Sequence, residues 1–108
     1  MTKDELEMKR RLEVGNFARD NGRVIRAINV LQGKWVSLGS VREALDEVEN
    51  LERSLIYLER AEYMVCRHAE TKEAVEIEDA DDQNCEVTLT HKGIQLALYF
   101  IEDPAVKV

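Results

Sequence analysis

Apolar residues recur along the chain with two periods, and the change from one to the other marks out the elements. From Lys3 to Glu13, Leu6, Met8 and Leu12 form a thin stripe among charges. The acid-first i,i+4 pairs Glu5/Lys9 and Glu7/Arg11 support a surface helix there. Gly15-Asn16 is expected to interrupt it. Asp20-Asn21 then offers an N-cap, Val24, Ile25, Ile28 and Leu31 keep helical spacing, and Gly33 suits the left-handed C-terminal position. Trp35 to Leu38 reads as a short extended piece. Ser40 is expected to cap a further helix, with Glu43 completing a capping box. Val41, Ala44, Leu45 and Val48 share one face, and Leu51, Leu55 and Leu58 continue at three- and four-residue steps. One helix over 40–62 fits this spacing, but the crowding of Asp46, Glu47, Glu49 and Asn50 predicts a break, with Asn50 capping a second helix over 50–61.

Beyond Ala61 the period falls to two. Tyr63, Val65 and Arg67 alternate with Met64, Cys66 and His68, and Cys85, Val87 and Leu89 alternate with Glu86 and Thr88. The intervening connection predicts a hairpin with a long, exposed tip. Thr90 then caps a closing helix carrying Ile94, Ala97, Leu98 and Ile101, ended by Pro104. The predicted fold class is α+β and mostly helical, in the order helix, short strand, helix, helix, strand, strand, helix.

Charge sharpens this picture. The chain of 108 residues carries 15 basic and 22 acidic side chains, for a net charge of −7. Residues 22–39 hold Arg23, Arg26 and Lys34 with no acid, whereas residues 69–84 set seven acids against Lys72 alone. A generic polycation that coats nucleic acid or anionic lipid is excluded. A chain with 2 Cys lacks the framework of a small disulfide-rich secreted domain, and no apolar run is long enough to cross a bilayer. A cytoplasmic protein with no membrane contact is expected.

The run Leu55 to Met64 resembles the end of a winged-helix recognition helix entering its first wing strand. Leu89-Thr90-His91-Lys92-Gly93 resembles the turn from the second wing strand into the closing helix. Phe17-Ala18-Arg19-Asp20, Arg23-Val24-Ile25 and Asp103-Pro104-Ala105-Val106-Lys107 are similar to a small winged-helix family of Mu-like prophages. The superfamily resemblance covers residues 20–102. Glu62 stands where that family usually has Gly. The resemblance implies a winged helix-turn-helix with an extra N-terminal helix over 1–19, a long acidic β-hairpin wing, and a C-terminal tail over 103–108. It implies a bacterial or prophage transcriptional regulator that binds double-stranded DNA as a homodimer, paired through the N-terminal and closing helices.

On that reading helix 50–61 enters the major groove. Asn50, Arg53, Ser54 and Tyr57 would reach bases or phosphates, with Arg53 placed for guanine, while Arg23, Arg26 and Lys34 hold the flanking backbone. The acidic stretch predicts a solvated tip that points away from DNA. The alternative is a protein-interaction adaptor on the same fold. There Glu76, Glu78, Asp79, Asp81 and Asp82, with Ile56 and Tyr57, would engage a basic partner. The sign of the surface around helix 50–61 separates the two.

Catalysis is not expected, because no phosphate loop, nucleophile elbow or H-E-x-x-H is present. Calcium is not expected either: Asp79, Asp81 and Asp82 lack the EF-hand glycine and its twelfth-position glutamate. Cys66, His68, Cys85 and His91 include zinc-ligand types, but alternation predicts that Cys66 and Cys85 face opposite ways, so no metal or other cofactor is expected.

Overall fold

The computed structural model describes residues 2–31 and 34–108. Helix α1 spans Lys3–Leu31, strand β1 Val36–Ser37, helix α2 Leu38–Ala44 and helix α3 Leu51–Arg60. Strand β2 spans Met64–His68, a single 3₁₀ turn Ile77–Asp79, strand β3 Cys85–Leu89 and helix α4 His91–Ala97. The chain is α+β. About half of it, rather than most, is helical, and the antiparallel sheet has the order β1-β3-β2.

The expected interruption at Gly15-Asn16 does not occur. Helix α1 runs through it for 29 residues. A helical glycine costs only about 1 kcal/mol, and Ala18, Asn21, Gly22, Val24, Ile25 and Ile28 beyond it are all buried against the body. The half before it lies in solvent, held by Thr2 Oγ1, which accepts from Glu5 N at 3.1 Å, and by a Glu7–Arg11 ion pair at 3.0 Å. The proposed cap at Gly33 falls outside the described residues.

The break between α2 and α3 falls where the polar cluster predicts it. The N-cap of α2 is Ser37 rather than Ser40: its hydroxyl accepts from Ser40 N at 3.1 Å. Asn50 occupies the N-cap position of α3 without a side-chain capping bond. Thr90 caps α4 as expected, accepting from Gly93 N at 3.0 Å. Helix α4 stops at Ala97, earlier than its apolar spacing suggests. Tyr99 then takes a left-handed φ of 67°, and Leu98, Tyr99 and Phe100 are left exposed in the turn.

The core is built by Val24, Ile25 and Ile28 of α1, Leu38 and Val41 of α2, and Leu55 and Leu58 of α3. These pack on the sheet face carrying Met64, Cys66, Cys85, Val87 and Leu89. Glu62, where the resembled family has glycine, has φ 67°, the left-handed conformation in which a side chain costs about 1 kcal/mol.

The C-terminal segment is part of the body rather than a loose tail. Lys107 N donates to Ala18 O at 2.9 Å, Asn21 Nδ2 donates to Ala105 O at 2.9 Å, and Val106 is buried between them. Asp103 accepts from Tyr63 Oη at 2.5 Å, Tyr57 Oη at 3.1 Å and Ala105 N at 2.8 Å. One carboxylate therefore ties the end of the chain to α3 and to the start of the sheet.

The acidic connection between β2 and β3 keeps its acidic side chains exposed, as expected, but folds back on the body instead of projecting freely. Val75 N donates to Cys66 O at 3.1 Å and His68 N to Glu73 O at 2.9 Å, so residues 73–75 pair with the free edge of β2. Ile77 is buried under α3, and its amide donates to the Glu59 carboxylate at 3.0 Å. Val75, Ile77 and Ala80 give this run the apolar surface that packs it against the core. Two of its acids then meet bases of the body: Glu78 meets Arg60 at 2.8 Å and Asp82 meets Arg42 at 2.7 Å.

Candidate interaction site at the start of the third helix

Helix α3 presents its N-terminal turn beside α1, and the residues at that junction decide what the surface can hold. Leu55 and Leu58 anchor the inner face. Ser54 joins them fully buried, three residues after Leu51 and four before Leu58, its hydroxyl without a partner among the described residues. Ser54 therefore offers nothing to a base or phosphate, against expectation. Tyr57 is half-buried: its ring meets Phe17 of α1 edge-on at 5.1 Å and its hydroxyl is held by Asp103. Burial first, then the Asp103 bond, raises the Tyr57 pKa. Ile56 is partly buried against the core. The Ile56/Tyr57 surface expected for a partner is thus largely spent on internal packing.

Asn50 and Arg53 remain exposed. The Arg53 guanidinium stacks over the Phe17 ring at 4.8 Å, a cation–π contact that fixes its direction. Arg53 and Asn50 line a polar cleft of about 350 Å³ between α1 and the α2–α3 connection, with Glu13, Asn16, Asp20, Glu47 and Glu49. Four carboxylates there face one guanidinium. A neighbouring, mainly apolar groove of about 420 Å³ is lined by Arg10, Glu13, Val14, Phe17 and Arg53. The two share Glu13 and Arg53 and form one surface, acidic on one side of the Arg53–Phe17 stack and apolar on the other.

Of the remaining charges of α3, Glu52 and Arg60 are in ion pairs. Glu52 and Asp82 both bind Arg42, at 2.6 and 2.7 Å. Burial draws the Arg42 pKa down, but its two carboxylates together hold it above the ordinary value. Arg60 is committed to Glu78. Glu59 has its pKa raised by burial, against the bond from Ile77 N. Arg23 and Arg26 are exposed on α1 but do not line the cleft, and Arg26 donates to Lys107 O at 3.3 Å. Lys34 is exposed beyond α1. Of the expected acidic contacts, Glu78 and Asp82 are in ion pairs, Asp81 caps a turn, and Glu76 and Asp79 are exposed.

Alternation misplaces the cysteines. Register pairs His68 with Cys85 and Cys66 with Val87, and directly opposed residues in an antiparallel pair share a face, so both cysteines lie on the buried side. Burial pushes the Cys66 thiol up to about 12, with the neighbouring Cys85 adding to the shift. Among the described residues one group brings metal-ligating atoms together: one donor atom each from His68, Asp81 and Cys85, all within 4.8 Å of one another. His91 is exposed at the start of α4 and stands apart from it.

No protein-family model matches the chain, and no curated protein or solved structure matches it. Among the described residues no helix is long and apolar enough to cross a membrane.

Proposed function

We infer that the chain is a protein-interaction module on a winged-helix-like scaffold, whose working surface is the cleft at the start of α3. The scaffold reading is supported by the element order together with the strand order β1-β3-β2, in which the two longer strands flank the connection that a wing would occupy. The interaction reading is carried by one observation. Where a DNA reader needs positive charge, the cleft sets Glu13, Asp20, Glu47 and Glu49 against one cation, Arg53. A phosphate backbone brought to that surface meets like charge, which disfavours binding by several kcal/mol in a complementary-charge interface.

The partner that fits is a protein segment bearing Arg or Lys, with an apolar side chain spaced to enter the adjoining groove at Val14 and Phe17. Carboxylates set the orientation of its basic groups, and the apolar anchor contributes the desolvation. Along the exposed half of α1, Leu6 and Val14 fall on the side of Phe17 and lengthen this surface, whereas Met8 and Leu12 stand in solvent on the opposite side of the helix.

A second reading, a DNA-binding regulator, is favoured by the resemblance of residues 55–64 and 89–93 and by Arg23 and Arg26 on the outside of α1. Fluorescence anisotropy separates the two. Amphipathic Arg/Lys peptides and duplex fragments are titrated across a salt series with the parent and with Glu47→Lys/Glu49→Lys. Peptide binding that falls at least about tenfold in the variant, with no selective duplex binding, supports the interaction module. Duplex binding that rises in the variant from a measurable, fragment-selective level in the parent would replace it by the regulator.

A further inference from the structure

The register of the two long strands brings three unlike donor atoms to one point. His68 and Cys85 are directly opposed across β2 and β3 and project from the same face. Asp81 reaches them from the turn that enters β3: Cys85 N donates to Asp81 O at 3.2 Å, closing that turn. Asp81 Oδ1 accepts from Asn84 N at 2.8 Å and from Gln83 N at 3.1 Å, so the carboxylate is aimed by its own backbone. The His68 main chain is fixed on both sides, its amide donating to Glu73 O at 2.9 Å and its carbonyl accepting from Lys72 N at 2.9 Å. Yet Nδ1 of this well-held imidazole is buried without a hydrogen-bond partner among the described residues. A buried nitrogen left without a partner is destabilising, and a ligand at that atom removes the penalty.

We propose that His68, Asp81 and Cys85 form a binding site for a divalent transition-metal ion, zinc being the ion that fits best. Imidazole nitrogen, carboxylate oxygen and thiolate sulfur are the three donor types zinc accepts, at about 2.0–2.3 Å. Donors around a tetrahedral ion then lie about 3.3–3.8 Å apart, so atoms already within 4.8 Å of one another need only a small closure. Calcium and magnesium are disfavoured, because a soft sulfur is a poor ligand for either. Binding displaces the Cys85 thiol proton to solvent, and water takes the fourth position on the side of the exposed Asp81. Cys66, beside Cys85 in the core, stays a thiol. The ion joins the acidic connection to both strands. It thereby fixes the segment whose neighbours Asp82 and Glu78 hold Arg42 of α2 and Arg60 of α3.

The test is a Co²⁺ titration of the purified full chain under reducing conditions, without any partner, read by the thiolate-to-cobalt charge-transfer absorption and by displacement with Zn²⁺. The expected result is one equivalent bound, a charge-transfer band lost in Cys85→Ser and kept in Cys66→Ser, and affinity at least about tenfold weaker in His68→Gln and in Asp81→Asn. Asp81→Asn keeps an acceptor for Gln83 N and Asn84 N at an exposed position, so it stays interpretable if a core cysteine variant fails to fold. Absence of the band, a band that follows Cys66 instead, or binding indifferent to His68 and Asp81 would overturn the site.

Discussion

Glycine in the middle of a helix normally costs about 0.5–1 kcal/mol relative to alanine, so Gly22→Ala should stabilise α1 on general grounds. The structure predicts the reverse. A Cβ at position 22 would stand 1.6 Å from the Lys107 carbonyl oxygen and 2.4 Å from its carbon. Ordinary contact requires the C-terminal strap to retreat by about 1.5–2 Å, and nothing in the obstacle is a flexible side-chain end. That retreat breaks the bonds Lys107 N to Ala18 O and Arg26 to Lys107 O, and strains Asn21 to Ala105 O. At about 1 kcal/mol for each of the two broken bonds, plus about 1.5–3 kcal/mol for the buried Val106 side chain, the loss reaches about 3.5–5 kcal/mol. Set against a propensity gain of about 1 kcal/mol, the net destabilisation is about 2.5–4 kcal/mol. Gly15→Ala is the matched control in the same helix, since nothing lies within 4 Å of its Cβ. It should gain about 0.5–1 kcal/mol. Urea unfolding followed by circular dichroism compares the three proteins. If Gly22→Ala were as stable as Gly15→Ala, the close packing of the strap on α1 would be refuted.

Burial alone would raise the Asp103 pKa, but the bonds from Tyr63, Ala105 N and Tyr57 outweigh it and depress it. The stability it contributes is therefore present above the ordinary carboxylate pKa of about 3.9 and is lost as pH falls through the depressed value. Tyr57 and Tyr63 are raised, burial being the larger cause. Their contribution is complete below about pH 10 and is lost above it. Asp103→Asn should lower stability across that window by about 1–3 kcal/mol and flatten the acid limb, measured by chemical unfolding at a series of pH values; an unchanged acid limb would place the titration elsewhere. Ser54→Ala removes a buried hydroxyl with no partner among the described residues and should be neutral or stabilising by up to about 1 kcal/mol, without changing any binding; a large loss in unfolding free energy would mean the hydroxyl is satisfied. Arg42→Ala leaves Glu52 and Asp82 facing each other and should lower the thermal midpoint by more than Arg60→Ala, whose single pair with Glu78 is solvent-exposed.

The elements with local signals were legible. Cys85–Leu89 announces itself by alternation, Thr90 by its place before Ile94, and the break before α3 by the acids and Asn50 that compete with helical bonds. The failures share a physical origin in contacts that sequence spacing does not encode. Gly15-Asn16 looks like a stop only when the packing of Phe17 and Ala18 is unknown. Once the helix is cut there, the i, i+3, i+7 series Glu13, Asn16, Asp20 that lines the cleft is no longer visible as one face. Ser54 sits on the apolar stripe by spacing, but its polarity argued for the surface. The acidic run hides Val75 and Ile77, whose packing against the core folds it back. The face shared by Cys66, His68 and Cys85 depends on strand register, which no local pattern sets.

The most direct test of the interaction surface is a ¹⁵N-resolved NMR titration of the full chain with a basic amphipathic peptide and, separately, with a fragment-selected duplex at low salt. The account predicts that the peptide shifts amides of Glu13, Asn16, Phe17, Asp20 and Glu47 to Arg53, and that the duplex shifts none of them. Duplex-induced shifts centred on Asn50, Arg53 and the Arg23–Arg26 turn, with no response to the peptide, would contradict it.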